Sequence, residues 1–321
     1  MTQARDVIVI TSCTNRKKKA NSVLALEGTD HVDSLSALAD SWKRQVQTAS
    51  PRDLVMAAEL YGGRSISEAR RAAARLAAPL YIVSAGHGLL HAEDSIPSYD
   101  VTISPSPENA LHRCLLRLQQ SPAAWWQALI GTFGPQRSLA ELVTAWPQAV
   151  VLLAVPSAYL GLLAGELAQL TDAAVTRLRI VTSAHGAAGL PAHLHAVALP
   201  YDERLEGLAA YAGTRTDFPQ RALHHFVAVL GGHTLSLNDA RARVQEAMDA
   251  LQKPALPTRA RKTDAEILDL LRQHWERLNG SATALLRYLR DEALVSCEQS
   301  RFRALRQQLL VDRNNDTGTH G

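Results

Sequence analysis

Four short polar segments of this sequence, three of them directly after apolar runs, carry the side chains best suited to chemistry. They are SCTN at 12–15, SAGHG at 84–88, SYD at 98–100 and PSAY at 156–159. Asn15 in the first segment offers an amide donor and an acceptor together, which suits the edge of a nucleobase or a positioned water. The alternative interpretation of Asn15 is a turn residue that closes the loop.

Tyr99 and Asp100 place an aromatic ring beside a carboxylate. When an N-glycosidic bond breaks, the sugar gains oxocarbenium character, which a carboxylate stabilises while it orients the attacking water. Adjacent side chains of an extended strand point to opposite faces, so one of the pair is expected to face a pocket. We predict that this residue is Asp100; the alternative is that the segment only caps a turn.

Other side chains of these segments are predicted to line a pocket for a flat ligand. Gly86 allows a close backbone approach. His87 follows it as a hydrogen-bonding or structural residue, with a general base as the alternative. Glu59 precedes a Gly-Gly break and is a candidate second acid. The predicted substrate-binding residues are Ser12, Cys13, Glu59, Tyr61, Ser84, Gly86, His87, Tyr99, Ser157 and Tyr159.

Four consecutive cations, Arg16, Lys17, Lys18 and Lys19, follow Asn15. A basic loop that leaves a buried strand can hold an anion, and we predict that these residues contact DNA phosphates. The loop lacks the glycines and the Gly-Lys-Ser/Thr ending of a P-loop, so ATP hydrolysis is not favoured. A solvated run of lysines is the alternative interpretation.

The elements that must position these residues are short apolar strands that alternate with helices. Strands are predicted at 7–11, 80–83, 150–155 and 179–182, with a candidate fifth at 195–200, and helices at 67–77, 108–120 and 159–170. This alternation predicts an α/β class: an α/β/α sandwich with a mostly parallel central sheet. Ligands of such sheets bind beyond the carboxyl ends of the strands, where the polar segments would collect.

The pattern changes after residue 252. We predict an α/β catalytic domain over 1–252, a linker over 253–262, a three-helix domain over 263–312 and a disordered tail over 313–321. Thr263 with Glu266, and Ser281 after Asn279-Gly280, are helix-start signals. The three short helices suit a helix-turn-helix unit whose last helix would contact DNA through Arg301, Arg303 and Arg306. A helical lid or a dimerisation module is the alternative.

Composition narrows the class of protein. Apolar residues make up 46% and charged residues 20% of the 321 residues, as in a globular protein with a substantial core. The three cysteines are too few and too scattered for a disulfide framework or a zinc cluster, and no metal or cofactor is predicted. No apolar run is long enough to span a bilayer, and a strand begins almost at once, so we expect a cytoplasmic protein without a membrane partner.

The order of the segments SCTNRKK, AAELYGG, YIVSAGHGLL and PSYD resembles a family of bacterial and phage domains related to the peroxide-stress YaaA-like proteins and, more distantly, to the uracil-DNA glycosylase superfamily. With the C-terminal module, the chain resembles anti-phage DNA glycosylases that remove bulky modified bases. The resemblance covers about residues 6 to 103. It implies an α/β/α sandwich without a cofactor, Asn15 and Asp100 as the polar catalytic pair, and a base site lined by Ser84, His87 and Tyr99. The Gly-Gln-Asp-Pro-Tyr and His-Pro-Ser loops of ordinary uracil glycosylases do not occur, which argues against uracil as the substrate.

These features lead to one leading prediction and two alternatives. The leading prediction is a DNA glycosylase that hydrolyses the N-glycosidic bond of modified pyrimidines in double-stranded phage DNA, for example glucosylated hydroxymethyl pyrimidines, by base flipping. The first alternative is a base-exchanging transglycosylase or nucleoside hydrolase that uses the same pocket. The second is a ligand-sensing DNA-binding regulator without catalytic activity. The sequence does not set the oligomeric state.

Overall fold

The computed structural model describes residues 6–18, 23–253 and 258–317, with side chains up to residue 313. The chain divides into two compact units, Met1–Pro254 and Ala255–Gly321. Lys19 and part of the predicted linker lie outside the described residues.

The first unit is built on a five-stranded sheet with the strand order β5-β4-β1-β8-β9. Strands β1, β4, β8 and β9 are parallel to one another, and β5 pairs antiparallel with β4 at the edge. Two small pairs accompany the sheet, β2 with β7 and β3 with β6. The strands are β1 Val7–Ser12, β2 Leu24–Ala25, β3 Leu54–Met56, β4 Leu80–Ser84, β5 Gly88–His91, β6 Ser95–Pro97, β7 Tyr99–Asp100, β8 Val150–Ala154 and β9 Leu178–Val181.

Helices connect the parallel strands and cover both faces of the sheet. Those of the first unit are α1 Leu35–Gln47, α2 Ala57–Leu60, α3 Arg64–Leu76, α4 Ala110–Arg117, α5 Pro122–Phe133, α6 Leu139–Ala145, α7 Ser157–Gln169, α8 Asp172–Val175, α9 Ala184–Ala188, α10 Phe218–Ala228 and α11 Leu237–Asp249. Local sequence signals fix the start of α5: the Ser121 side chain accepts a hydrogen bond from the Ala124 amide, and Pro122 occupies the first turn. The α/β class predicted from the sequence is confirmed.

Successive side chains of each strand point to opposite faces of the sheet, and each face forms a hydrophobic core with the helices that cover it. Ile8 and Ile10 of β1 pack with the helices α1, α4, α5, α6 and α7 on one face. Val9 packs with α3, α10 and α11 on the other face. Because successive strand side chains point to opposite faces, a run of apolar residues buried on both sides requires helices on both. The result is the predicted three-layer arrangement.

Two local predictions differ from the structure. Residues 195–200 were predicted as a strand, but Ala192–Val197 forms a short 3₁₀ segment, and only an isolated bridge joins Ala198 to Ile180. The antiparallel edge β5 was not predicted, because its apolar residues directly follow the glycine-containing loop that also carries His87.

The second unit contains α12 Asp264–His274, α13 Ala282–Arg287 and α14 Gln299–Thr317, and a turn of π-helix follows α13. The predicted starts are confirmed: Thr263 and Glu266 form a capping box, and Ser281 accepts from the Ala284 amide. Helix α14 continues to Thr317, so residues 313–317, predicted as disordered tail, are helical. Among the residues that the structure describes, no helix is long and apolar enough to cross a membrane.

Candidate active site

The carboxyl ends of the parallel strands gather several of the predicted polar segments. Cys13 follows β1, Ser84 ends β4, and Tyr159 lies on α7 just after β8. The Cys13 Sγ lies 2.9 Å from the Tyr159 hydroxyl. These contacts join the first and last of the four segments at one edge of the sheet.

Three buried hydroxyl groups form the centre of the site. The Tyr99 hydroxyl lies 2.7 Å from the Tyr61 hydroxyl and 2.7 Å from the Ser84 Oγ. The backbone amides of Gly86 and His87 also donate to the Ser84 Oγ, at 3.3 and 3.1 Å. Burial raises the pKa of both tyrosines, so the phenols remain protonated hydrogen-bonding groups.

The SAGHG loop packs tightly against the Tyr99 ring. A Cβ added at Gly86 would lie 2.8 Å from the Tyr99 Cε2, which explains why this position lacks a side chain. The His87 ring meets the Tyr99 ring edge-on with 4.8 Å between centroids. Indole groups hold the loop backbone: Trp42 donates to the Gly86 carbonyl, and Trp125 donates to the Ala85 carbonyl.

His87 is a neutral, buried residue. Burial, and to a smaller extent the positive charges of Arg137 and Lys17, lower its pKa from 6.5 to about 3. Its Nε2 has no hydrogen-bond partner among the residues that the structure describes. These features favour packing against Tyr99 over proton transfer as its role.

Lys17 lies between the buried hydroxyl groups and the surface. Its Nζ is 4.3 Å from the centroid of the Tyr99 ring, and its backbone forms a bridge with Tyr61. Burial lowers the pKa of the Lys17 ammonium, while Cys13 and Asp100 partly oppose that effect. A cation on an aromatic face is attracted to the ring quadrupole.

Hydrogen bonds to residues 60–63 (LYGG) fix the path of the loop that follows β1 at residues 13–18. The Thr14 hydroxyl donates to the Gly62 carbonyl at 3.0 Å, and the Gly62 amide donates to the Arg16 carbonyl at 2.7 Å. The Lys18 amide donates to the Leu60 carbonyl at 2.9 Å. This pairing carries the Lys17 side chain to the Tyr99 ring.

The two predicted catalytic residues, Asn15 and Asp100, are both exposed. Asn15 precedes Lys17 by two residues, and the charge of Asp100 acts on the Lys17 ammonium. Neither side chain has a hydrogen bond or ion pair with another described residue. In β7, Tyr99 is 1% exposed while Asp100 faces outward, as the alternation of a strand requires.

The remaining predicted pocket residues divide by burial. Ser12 is buried at the end of β1, and Ser84, His87 and Tyr99 are at most 3% exposed. Glu59 on α2 and Ser157 at the start of α7 are exposed. The structure gives Glu59 no side-chain hydrogen bond or ion pair with these groups within the described residues.

Three of the four predicted cations line one pocket. Arg16, Lys17 and Lys18 surround a cavity of 420 Å³ together with Gly62, Gly63 and Ser67. Lys17 therefore contacts both the Tyr99 ring and this basic pocket. Lys19 lies outside the described residues.

The arginines predicted to contact DNA from α14 have different environments. Arg301 pairs with Asp264, with Nη2–Oδ1 at 2.5 Å, and also donates to the Lys262 carbonyl at 2.8 Å. Arg306 donates to the Gly280 carbonyl and lies 5.5 Å from the Trp275 ring centroid. Both hold the second unit together, and of the three arginines Arg303 alone lines a groove of this unit.

Sequence reasoning missed the residues that support the site from outside the polar segments. Trp42 and Trp125 lie on helices, 44 and 40 residues away in the chain from the loop carbonyls they bind. The sequence contained only a weak signal for them, the scarcity of tryptophan at five residues. Their burial and their carbonyl partners depend on tertiary packing.

Comparison with known proteins finds a match to a family model. A family of unknown function (DUF6884) matches residues 45–128, a span that includes Tyr61, Ser84, His87, Tyr99 and Asp100. The chain is similar to that family over less than half of its length. No curated protein and no solved structure matches the chain.

Proposed function

We propose that this protein is a DNA glycosylase that hydrolyses the N-glycosidic bond of modified pyrimidines in phage DNA and leaves abasic sites as an antiviral defence. The observation that carries the proposal is the contact of the Lys17 ammonium with the ring of the buried Tyr99, which the exposed Asp100 follows in β7. The Tyr99 hydroxyl bonds to Ser84 at the carboxyl edge of the five-stranded sheet. In an α/β sheet this edge is where ligands bind.

The two charges match the two fragments of a breaking N-glycosidic bond. As the bond between C1′ and the base nitrogen breaks, the base takes the electron pair and the sugar becomes cationic. The Lys17 ammonium stabilises the negative charge of the departing base, and the Asp100 carboxylate stabilises the sugar. Water then adds to C1′, and its proton passes to Asp100. In this proposal Asn15, an exposed residue on the same loop as Lys17, orients that water through its amide.

The buried residues keep these charges in position. Tyr99 is held by Tyr61 and Ser84 through its hydroxyl, and its ring face supports the Lys17 ammonium. Tyr99 is therefore a positioning residue in this proposal. The cavity bordered by Arg16 and Lys18 would hold phosphates next to a nucleotide flipped out of the duplex.

The test is base release by the purified full-length protein from three DNAs: unmodified, hydroxymethylated and glucosylated hydroxymethylated phage DNA. Mass spectrometry of the released base and counting of alkali-labile sites measure the reaction. We expect release from a modified DNA, with one alkali-labile site for each base released.

Each alternative has its own result in this assay. Incorporation of an added labelled base into the DNA would show that the protein exchanges bases and does not simply hydrolyse the bond. DNA binding without released base from any of the three DNAs would contradict the proposal and favour a regulator.

A further inference from the structure

The second unit contains a groove with a concentrated positive charge. It measures 560 Å³ and lies between α13 with its following π-turn and the first turns of α14. Four arginines line it, Arg259, Arg287, Arg290 and Arg303, together with one acid, Asp291. We name this feature the arginine groove.

The charge of the arginine groove is not a property of the unit as a whole. Residues 255–321 contain eleven Lys/Arg and nine Asp/Glu, so the unit is nearly neutral. The groove has four of those cations and one of those acids. Outside it, ion pairs with carboxylates neutralise Lys262, Arg272, Arg277, Arg301 and Arg313.

Inside the groove, most of the guanidinium charge is not neutralised. Arg290 donates through Nε and Nη2 to the Cys297 carbonyl, at 3.2 and 2.9 Å, which orients the group without cancelling its charge. Arg287 and Arg303 are exposed and have no hydrogen-bond or ion-pair partner within the described part of the chain. Arg259 is the exception, since it pairs with Asp291 at 3.1 Å.

We infer that the arginine groove binds the sugar-phosphate backbone of DNA, without reading its sequence. Guanidinium groups bind phosphate through two parallel hydrogen bonds, and unneutralised arginines on both walls of a groove suit a chain of regularly spaced anions. The polar side chains of Thr283 and Gln299 on the same walls add hydrogen-bonding groups of the kind that contact phosphate and sugar oxygens. The inference rests on the proposed function in taking DNA as the partner, but it needs no catalysis.

This inference changes the set of residues expected to contact DNA. Of the three arginines predicted from the sequence, Arg303 is retained, while Arg301 and Arg306 are bound within the unit. Arg287 and Arg290 take their place in the set. The DNA-contacting face therefore includes α13 and its π-turn in addition to α14.

The test compares two full-length double variants that remove the same charge. R287Q/R303Q removes the two unpartnered arginines of the groove, and R272Q/R277Q removes two ion-paired arginines outside it. Affinity for an unmodified duplex of 30 base pairs is measured by fluorescence anisotropy over a series of NaCl concentrations. Thermal melting confirms that each variant is folded.

We expect the slope of log K against log salt to decrease in magnitude by about 1.8 in R287Q/R303Q, which corresponds to two lost phosphate contacts. R272Q/R277Q should keep the wild-type slope, and R287K/R303K, which retains the charge, should keep most of it. An unchanged slope in R287Q/R303Q, or an equal decrease in the control, would overturn the inference. So would displacement of the DNA by polyglutamate as efficient as by unlabelled DNA, because the groove would then be a site for acidic peptides.

Single-turnover base release at saturating protein separates this inference from the proposed function. If the slopes differ as expected but no form releases a base, the groove binds DNA and the proposed glycosylase activity fails. If base is released and the slopes do not differ, the activity stands and the role of the groove fails.

Discussion

Tyr99 and Asp100 are neighbours in β7 whose side chains point to opposite faces of the strand. Tyr99 is 1% exposed and contacts Tyr61, Ser84 and Lys17, while Asp100 is exposed. The sequence predicted that one of the pair would face a pocket, because strand side chains alternate, and that this residue would be Asp100; in the structure Tyr99 is the residue turned inward. It could not predict the position of Lys17, which depends on the bonds between residues 14–18 and residues 60–62.

His87 gives a prediction about stability and pH. The folded protein keeps His87 neutral down to its pKa of about 3, whereas the unfolded chain protonates it near 6.5. Between these values the unfolded state binds more protons, so the free energy of unfolding decreases as the pH falls. From pH 7 to pH 5, this histidine should account for about 2 kcal/mol of the decrease.

Urea unfolding of wild type and His87→Asn at pH 7 and pH 5 measures this contribution. The variant should lose less stability than wild type over the interval, by roughly the amount just given, whatever its stability at pH 7. His185→Gln, which removes an exposed histidine, is the matched control and should follow wild type. Parallel curves for wild type and His87→Asn would show that His87 is not held neutral by the fold.

At the scale of elements, the parallel strands were predictable and the loops between them only in part. Apolar runs bounded by polar residues located β1, β4, β8 and β9 to within two residues of their observed ends. The sequence did not locate the edge strand β5 or the 3₁₀ segment at Ala192–Val197, because short apolar stretches next to glycine or proline fit several local structures. The convergence of the loops followed from the parallel arrangement, because parallel strands share one carboxyl edge.

The loop after β4 should tolerate little added volume. Gly86→Ala would place a Cβ 2.8 Å from the Tyr99 ring, whose hydroxyl is held by two hydrogen bonds, so the ring cannot easily move away. We expect a loss of about 1–3 kcal/mol in the free energy of unfolding. Gly161→Ala in α7 is the control: its Cβ would have no neighbour within 4 Å, and alanine is favoured in a helix. Urea unfolding distinguishes them, and a Gly86→Ala protein as stable as wild type would contradict the packing described for this loop.

At the scale of the whole molecule, net charge conceals the distribution that matters for binding. The chain has a formal charge of only +3, yet each unit concentrates cations in one place: Arg16, Lys17 and Lys18 in the first, and the arginine groove in the second. The sequence showed the first cluster as a continuous run. The sequence could not show the arginine groove, because its arginines come from three separate segments of the chain. In addition, only the structure shows that ion pairs neutralise other cations of the same unit.

The same reasoning explains why the helix starts of the second unit were predictable from the sequence and the environments of its arginines were not. Caps and apolar periodicity are local signals, and they located Thr263 and Ser281 correctly. Whether an arginine faces solvent or its own unit depends on packing, which turned Arg301 and Arg306 toward Asp264 and Gly280.

In the proposed reaction, Asp100 and Lys17 act on the two sides of one N-glycosidic bond. The most direct measurement is the single-turnover rate of base release from glucosylated hydroxymethylated DNA by Asp100→Asn, compared with Glu93→Gln, which neutralises another exposed acid in the same unit. We predict that Asp100→Asn lowers the rate by at least ~100-fold, in the range of a lost electrostatic or general-base contribution, while its DNA affinity is retained. Glu93→Gln should match wild type. Equal rates for Asp100→Asn and wild type would contradict the account.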